Sequence, residues 1–331
     1  MSSDHADLFE KARGLKALVV GDVMVDSYLW GKVDRISPEA PVPVVHVTSR
    51  SSRLGGAANV ALNLKALGAD PIVVSVIGDD DNAMRLDRLF QDQHLSTVGL
   101  LRSKDRSTTV KTRVISGHQH VVRVDEEQED DLDQQDEDRF IQLFSRLVKE
   151  ESPAVIVLED YNKGVLTAGS IAAIISIAKQ HRVPVAVDPK KKNFFAYKDV
   201  DLFKPNLKEL REGSKVDVEA NDLASIREAV DLLQQRLNNS ISLITLSEHG
   251  AYVRQGGSEH IVKAHVRKIA DVSGAGDTVI AVAALALALG KSAADIAELS
   301  NLAGGLVCEE VGVVPIDRER FKSEVESLVR S

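Results

Sequence analysis

Short apolar, β-branched runs alternate along the chain with stretches of helical periodicity. "KALVVGD" (16–22) reads as a strand ending at Gly21-Asp22, and "VPVVHV" (42–47) as a second strand. "GGAANVALNLKALGA" (55–69) has the spacing of an amphipathic helix entered through glycines, and "PIVVSVIG" (71–78) returns to a strand. "TTVKTRVISG" and "HVVRVDEE" (108–127) form a hairpin pattern turning near Gly117. "AVIVLED" (154–160), "VPVAVDP" (183–189), "DLFKPN" (201–206) and "ISLITLSEHG" (241–250) are further strands separated by helical segments. Continuous apolar strands interleaved with helices predict a mainly parallel sheet covered on both faces. The stretches 22–54 and 96–125 break the alternation and predict a small second β layer. In open α/β sheets ligands bind beyond the carboxyl ends of strands. Those ends here carry Gly21-Asp22, Glu159-Asp160, Asp188, Asn206 and Ser247.

Composition narrows the classes without choosing one. At 331 residues the chain is long enough for a large α/β domain, and 44% hydrophobic with 27% charged residues is ordinary for a globular protein. A net charge of -9 with no extended basic tract argues against binding nucleic acid through its phosphates. The single cysteine, Cys308, excludes an intrachain disulfide and any multi-cysteine zinc site. The N-terminus lacks the apolar segment of a signal peptide, and the run from Val279 to Leu289 is too short to span a bilayer. A cytoplasmic protein that engages no membrane is expected. Residues 125–138 hold ten acids in fourteen, the pattern of a solvated loop leading into an acidic helix N-terminus.

Two nucleotide motifs fail. "LALALGKS" (285–292) has Leu285 where a phosphate loop requires glycine, and Val279 stands where a dinucleotide fingerprint needs its third glycine. What remains is "DVSGAGDT" (271–278). Small residues let backbone approach a ligand, and the free N–H groups of a helix's first turn attract an anion. Asp277 follows one residue beyond them, where a carboxylate accepts the proton of a hydroxyl attacking a bound phosphoryl group. Residue chemistry alone allows another reading, in which Asp277 favours the helix dipole and the glycines make a tight turn.

The motif does not stand alone. "VVGDVMVD", "LGGAANVALNLKALGA", "KPNLKEL", "ITLSEHGAYV" and "DVSGAGDT" occur in the order found in the ribokinase-like (PfkB) carbohydrate kinases, which this chain resembles over nearly its whole length. The resemblance implies a three-layer α/β/α fold with a mainly parallel central sheet and a small β-sheet lid. It implies a single kinase domain over 1–331, with lid strands from 22–54 and 96–125. It also implies that Asp277 is the base, and that Gly274, Ala275 and Gly276 form the anion hole for the γ-phosphate of ATP. Asn206 and Glu209 match the family's NxxE pair, which organises Mg²⁺ largely through water. Thr245, Ser247, Gly250 and Asn301 fall where the family meets its nucleotide. Asp271 and Ser273 match positions linked to a monovalent cation, K⁺. On the sugar side, Asp26, Gly55, Gly56 and Asn59 match the sugar-gripping residues.

"GDVMVDSYLWGKVDRISPEAPVPVV", "TTVKTRVISGHQHVVRVDEE" and "LEDYNKGVLT" resemble the branch of the family that phosphorylates D-glycero-β-D-manno-heptose 7-phosphate at its anomeric hydroxyl, a step towards the lipopolysaccharide core. In many bacteria that kinase is fused to a nucleotidyltransferase, and a chain ending at Ser331 is expected to be the stand-alone form. Glu159, Asp160 and Lys163 sit at a strand end facing the sugar cleft. Lys111, Arg113, Arg123, Lys163 and the lysines 190–192 are candidates for the 7-phosphate. The alternatives are a kinase of another sugar or sugar phosphate, and a catalytically silent regulator that binds sugar or nucleotide. Edge strands of the small β layer are expected to pair in a homodimer.

Overall fold

The computed structural model describes residues 8–330 apart from 118 and 266, so residues 1–7 and 331 of the expected domain lie outside it. The strands, in chain order, are β1 Lys16–Gly21, β2 Val23–Ile36, β3 Pro43–Gly56, β4 Asp70–Gly78, β5 Leu100–Ser103, β6 Val110–Ser116, β7 Gln119–Glu126, β8 Val155–Glu159, β9 Val185–Asp188, β10 Leu202–Phe203, β11 Ile241–Thr245, β12 Ala251–Gln255 and β13 Ser258–Val262. Among the described residues, nine of them form one sheet in the order β13-β12-β11-β10-β9-β8-β1-β4-β5. At one edge β12 pairs antiparallel with both β11 and β13, and every other pairing in this sheet is parallel.

The apolar runs are continuous because both faces are covered. On β1, Ala17 and Val19 belong to one buried apolar cluster, while Leu18 and Val20 belong to a second on the opposite face. Helix Ala275–Ala288 lies in the first cluster, and every residue from Asp277 to Ala286 is buried. A helix surrounded by core has no polar face to show, which explains the unbroken apolar stretch after Asp277. Helices Gln134–Glu151, Ala168–His181 and Leu223–Leu237 cover the second face. Among the described residues no helix is long and apolar enough to cross a membrane.

The second β layer is a four-stranded sheet in the order β3-β2-β6-β7. Only Asp22 separates β2 from β1, so the layer grows directly from a central strand. Strand β2 is buried from Val23 to Tyr28 and largely exposed beyond Gly31, as an element rooted in the core and projecting over the sheet must be. Strand β3 runs to Gly56, well past the expected 42–47. Its middle, "TSRSSR", is mostly solvated and carries no apolar alternation to betray a strand. One expectation is corrected. The stretch 96–125 does not belong wholly to the lid: β5 pairs parallel with β4 at the edge of the main sheet, and the lid receives β6 and most of β7 from this stretch.

Candidate active site

Helix Ala275–Ala288 begins at Gly274, whose φ of +81° is left-handed and which offers no side-chain cap. A Cβ there would sit 3.0 Å from Asn59 Nδ2, so both conformation and space favour glycine. The N–H of Ala275 makes a long turn bond to the Val272 carbonyl, 3.3 Å. Gly276, next in the first turn, lacks an acceptor within the helix, as helix geometry requires. A Cβ on Gly276 would be 3.6 Å from Asp188 Oδ2, so the turn rests against the end of β9.

Asp277 is 4% exposed. Asn59 Nδ2 donates to its Oδ2 at 2.7 Å, and the Tyr161 hydroxyl donates to its Oδ1 at 2.8 Å. Burial pushes its pKa up to about 6, against the two hydrogen bonds, which favour the carboxylate. Helix Ala57–Ala66 carries Asn59 and braces the next turn as well: Thr278 Oγ1 donates to Asn63 Oδ1 at 3.0 Å. Asn59, expected on the sugar side, is therefore tied to Asp277.

The neighbouring strand ends bring a buried charge cluster. Glu159 ends β8 fully buried, and neither carboxylate oxygen has a hydrogen-bond partner. Burial, Asp188 and Asp277 together raise its pKa well above the usual carboxylate range. Lys204 Nζ pairs with Asp188 Oδ2 at 2.8 Å, and both side chains are nearly inaccessible. Burial opposes the Lys204 charge, yet Asp188 and Glu209 hold its pKa above the ordinary lysine value. Asp160, one residue on, is buried with other partners. It accepts from the Tyr197 hydroxyl at 2.6 Å and the Asn162 N–H at 2.7 Å, so the structure sets it apart from the cluster around Asp277.

Asn206 and Glu209 open helix Leu207–Ser214 as a capping box. Asn206 Oδ1 accepts from the Glu209 N–H at 2.8 Å, and Glu209 Oε2 accepts from the Asn206 N–H at 2.9 Å. The other Glu209 oxygen is paired with Lys190. With these oxygens already engaged, the pair fits a hydrated Mg²⁺ reached through water better than a directly bound ion. Glu159, Asp188, Glu209 and Asp277 outnumber Lys190 and Lys204 in this buried region, a balance that a divalent cation would correct.

The residues expected on the sugar side include Asp26 on β2, Gly55 and Gly56 on β3, and Lys111 and Arg113 on β6. Asp26 is buried and ion-paired with Arg113. A Cβ at Gly55 would lie 2.2 Å from Asp26 Oδ2, and one at Gly56 2.3 Å from the Asp22 carbonyl, so the glycine pair has a steric reason. Most of the candidate cations are already paired. Lys111 meets Asp125 and Glu127, Lys163 meets Glu127 and Glu129, Arg123 meets Asp125, and Lys192 meets Asp131. Part of the acidic run thus neutralises these lysines, beyond forming a solvated loop. Arg53 differs: it lies over Tyr28, as Arg113 does, and its side chain donates to the carbonyls of Val311 and Val313.

Among the residues expected at the nucleotide, an isolated parallel bridge joins Asn206 to Thr245 at the end of β11. Ser247 (φ +54°) and Gly250 (φ +93°) form the turn that follows. A Cβ at Gly250 would collide with the Val262 carbonyl at 1.9 Å. Asn301 donates to the Lys263 carbonyl at 2.9 Å. Asp271 accepts from the Ser273 N–H and the Gly312 N–H, each at 2.9 Å, which clamps the loop before Gly274. Both its oxygens thus hold the loop.

Sequence reasoning missed Tyr161, Lys204 and Arg53 as members of the site. Lys204 stands two residues before Asn206 at a strand end, a signal that was available. The partners of Tyr161 and Arg53 lie far away in sequence and left none.

The family model described as pfkB family carbohydrate kinase matches residues 15–319. The protein named Bifunctional protein HldE of Geobacter metallireducens is 41% identical over 307 residues, covering 92% of this chain and 62% of its own length. Its namesake in Magnetococcus marinus is 43% identical over 308 residues, covering 92% and 63%. The chain therefore spans less than two thirds of these relatives. Phosphofructokinase-2 from Escherichia coli, in its complex with potassium, superposes with a TM-score of 0.77 at 18% identity, covering 96% of this chain and 100% of its own. Ribokinase from Arabidopsis thaliana, complexed with ribose and ATP, gives 0.72 at 17%, covering 96% and 99%. At these identities the two structures speak to the fold.

Proposed function

Because this chain belongs to the pfkB family of carbohydrate kinases, we propose that it transfers the γ-phosphoryl group of ATP to the anomeric hydroxyl of D-glycero-β-D-manno-heptose 7-phosphate, within one kinase domain. The observation that carries the chemistry is Asp277: a buried carboxylate three residues into an uncapped helix N-terminus, with a pKa near 6. A general base is most effective when its pKa lies close to the working pH. Asp277 takes the anomeric proton, the sugar oxygen bonds to the γ-phosphorus, and the bond from that phosphorus to the bridging oxygen breaks as ADP leaves. First-turn N–H groups beside Gly276, with Lys190 and Lys204 nearby, stabilise charge on the transferring group. Mg²⁺, held through its water shell by Asn206 and Glu209, would supply charge neutralisation on the ATP phosphates. Thr245, Ser247, Gly250 and Asn301 border the nucleotide.

The heptose acceptor rests on the stretches 21–45, 108–127 and 158–167, which carry Asp26, Arg113 and Lys163. Asp26 receives sugar hydroxyls, and the 7-phosphate lies toward Arg53 and Arg113. The test is ADP release with ATP and Mg²⁺ across a panel of heptose, hexose and pentose phosphates and the free sugars. Turnover greatest with heptose 7-phosphate supports the reading, and preference for another sugar replaces the substrate. No turnover with any sugar removes the heptose reading. A homodimer joined through the lid's outer strands belongs to the same reading, supported by Val122 and Val124 at 50% and 49% exposed on β7. Light scattering on the purified chain tests it, and a monomer at micromolar concentration would exclude it.

A further inference from the structure

The base is held by two donors, and one is unexplained by sugar binding. Tyr161 follows β8, and its hydroxyl proton points to Asp277 Oδ1 at 2.8 Å. Its backbone is fixed: the Tyr161 N–H donates to Asp22 Oδ2 at 2.8 Å, and the adjoining Asp160 is tied to Tyr197. The Lys190 ammonium lies 5.2 Å from the centre of the Tyr161 ring. Burial and the nearby Asp277, Glu159 and Asp188 hold the phenol's pKa well above its ordinary value, so the hydroxyl remains a donor.

We propose that Tyr161 is a positioning residue for the proton transfer: its hydroxyl fixes the Asp277 carboxylate and favours its charged form, leaving the remaining lone pairs to meet the sugar hydroxyl. This rests on the reading of Asp277 as the base. Carboxylates that accept hydrogen bonds ionise more readily, and buried Asp277 needs that help. Glu159 on β8 and Asp188 on β9 oppose its charge, while Lys190 after β9 and Lys204 after β10 offset them. All four stay in place when only the phenolic oxygen is removed, so Tyr161→Phe isolates the one hydrogen bond.

Two readouts test the role. In an NMR titration of an isotope-labelled Asp277 carboxyl carbon, assigned by its absence from Asp277→Asn, the midpoint should lie near 6 in the wild-type chain. In Tyr161→Phe it should rise by about one pH unit, the scale of one charge-assisted hydrogen bond. The acid limb of kcat/KM with heptose 7-phosphate should move up equally, while the KM for the sugar stays level. Replacing Tyr161 with a fluorinated tyrosine preserves shape, strengthens the donor and should move the midpoint down. A midpoint and acid limb unmoved in both proteins would reduce Tyr161 to packing and overturn the proposal. Full turnover in Asp277→Asn would instead remove the base reading, so the two failures are distinguishable.

Discussion

Two helices begin at this site, and each carries an acid at its third residue. At Leu207–Ser214, Asn206 caps the first turn, and Glu209 bonds back to the Asn206 N–H. At Ala275–Ala288, Gly274 supplies no side chain, and Asp277 turns away from its own backbone to Tyr161 and Asn59. The same helix position thus serves opposite ends. A capped terminus satisfies its N–H groups internally and becomes a rigid support. An uncapped one leaves them for a ligand and leaves its carboxylate for chemistry.

Asp277→Asn should separate the two termini most sharply. Loss of a general base lowers kcat by about 10²–10⁴-fold, read by ADP release, while circular dichroism stays native. Near-wild-type turnover would make Asp277 a helix-dipole partner and erase the contrast. The same variant carries a sign in its stability. Asp277 titrates near 6 in the folded chain against an ordinary 3.8, so proton uptake favours the folded state as pH falls from about 6 towards 4. Above pH 6 the buried charge is a cost that the variant lacks. The wild-type melting temperature should therefore gain on that of Asp277→Asn as pH drops from 7.5 to 4.5. Parallel curves would contradict the raised pKa.

A smaller effect is expected from Gly274→Ala. A left-handed residue with a Cβ costs about 1–2 kcal/mol, and the methyl would press on Asn59 Nδ2. Thermal stability should fall by that amount, with a higher KM for ATP as the first turn shifts. An unchanged melting temperature would show that the turn does not need glycine. The mildest change is Asn206→Ala, which removes one cap at about 1 kcal/mol. It should also raise the Mg²⁺ concentration giving half-maximal rate, with sugar KM unchanged. Lost sugar affinity at constant Mg²⁺ dependence would put the capped helix on the wrong side of the cleft.

The apolar strands and the Gly274–Asp277 turn were legible because each is encoded within a few neighbouring residues. Burial on both faces writes continuous apolar runs, and a left-handed turn packed against its neighbours writes glycine. The tip of β3 was not legible, because a strand that is mostly solvated along its middle needs no alternation. Strand β5, four residues long at a sheet edge, had too little pattern to separate from the lid. The pairing of Lys111 and Lys163 with the acidic run was hidden for a different reason. Charges read as solvated in a one-dimensional string can meet once β6 and the 159–163 turn are brought together.

Asp277 takes its hydrogen bonds from residues 116 and 218 positions away, and Arg53 reaches carbonyls 258 and 260 positions away. Closing such loops is entropically costly, and contacts of this separation slow folding. Asp277 cannot acquire its setting until the first third of the chain and the last have met. In refolding from denaturant, local helix signals should therefore recover first and turnover last. A nascent chain on the ribosome would stay inert until helix Ala275–Ala288 has emerged and docked.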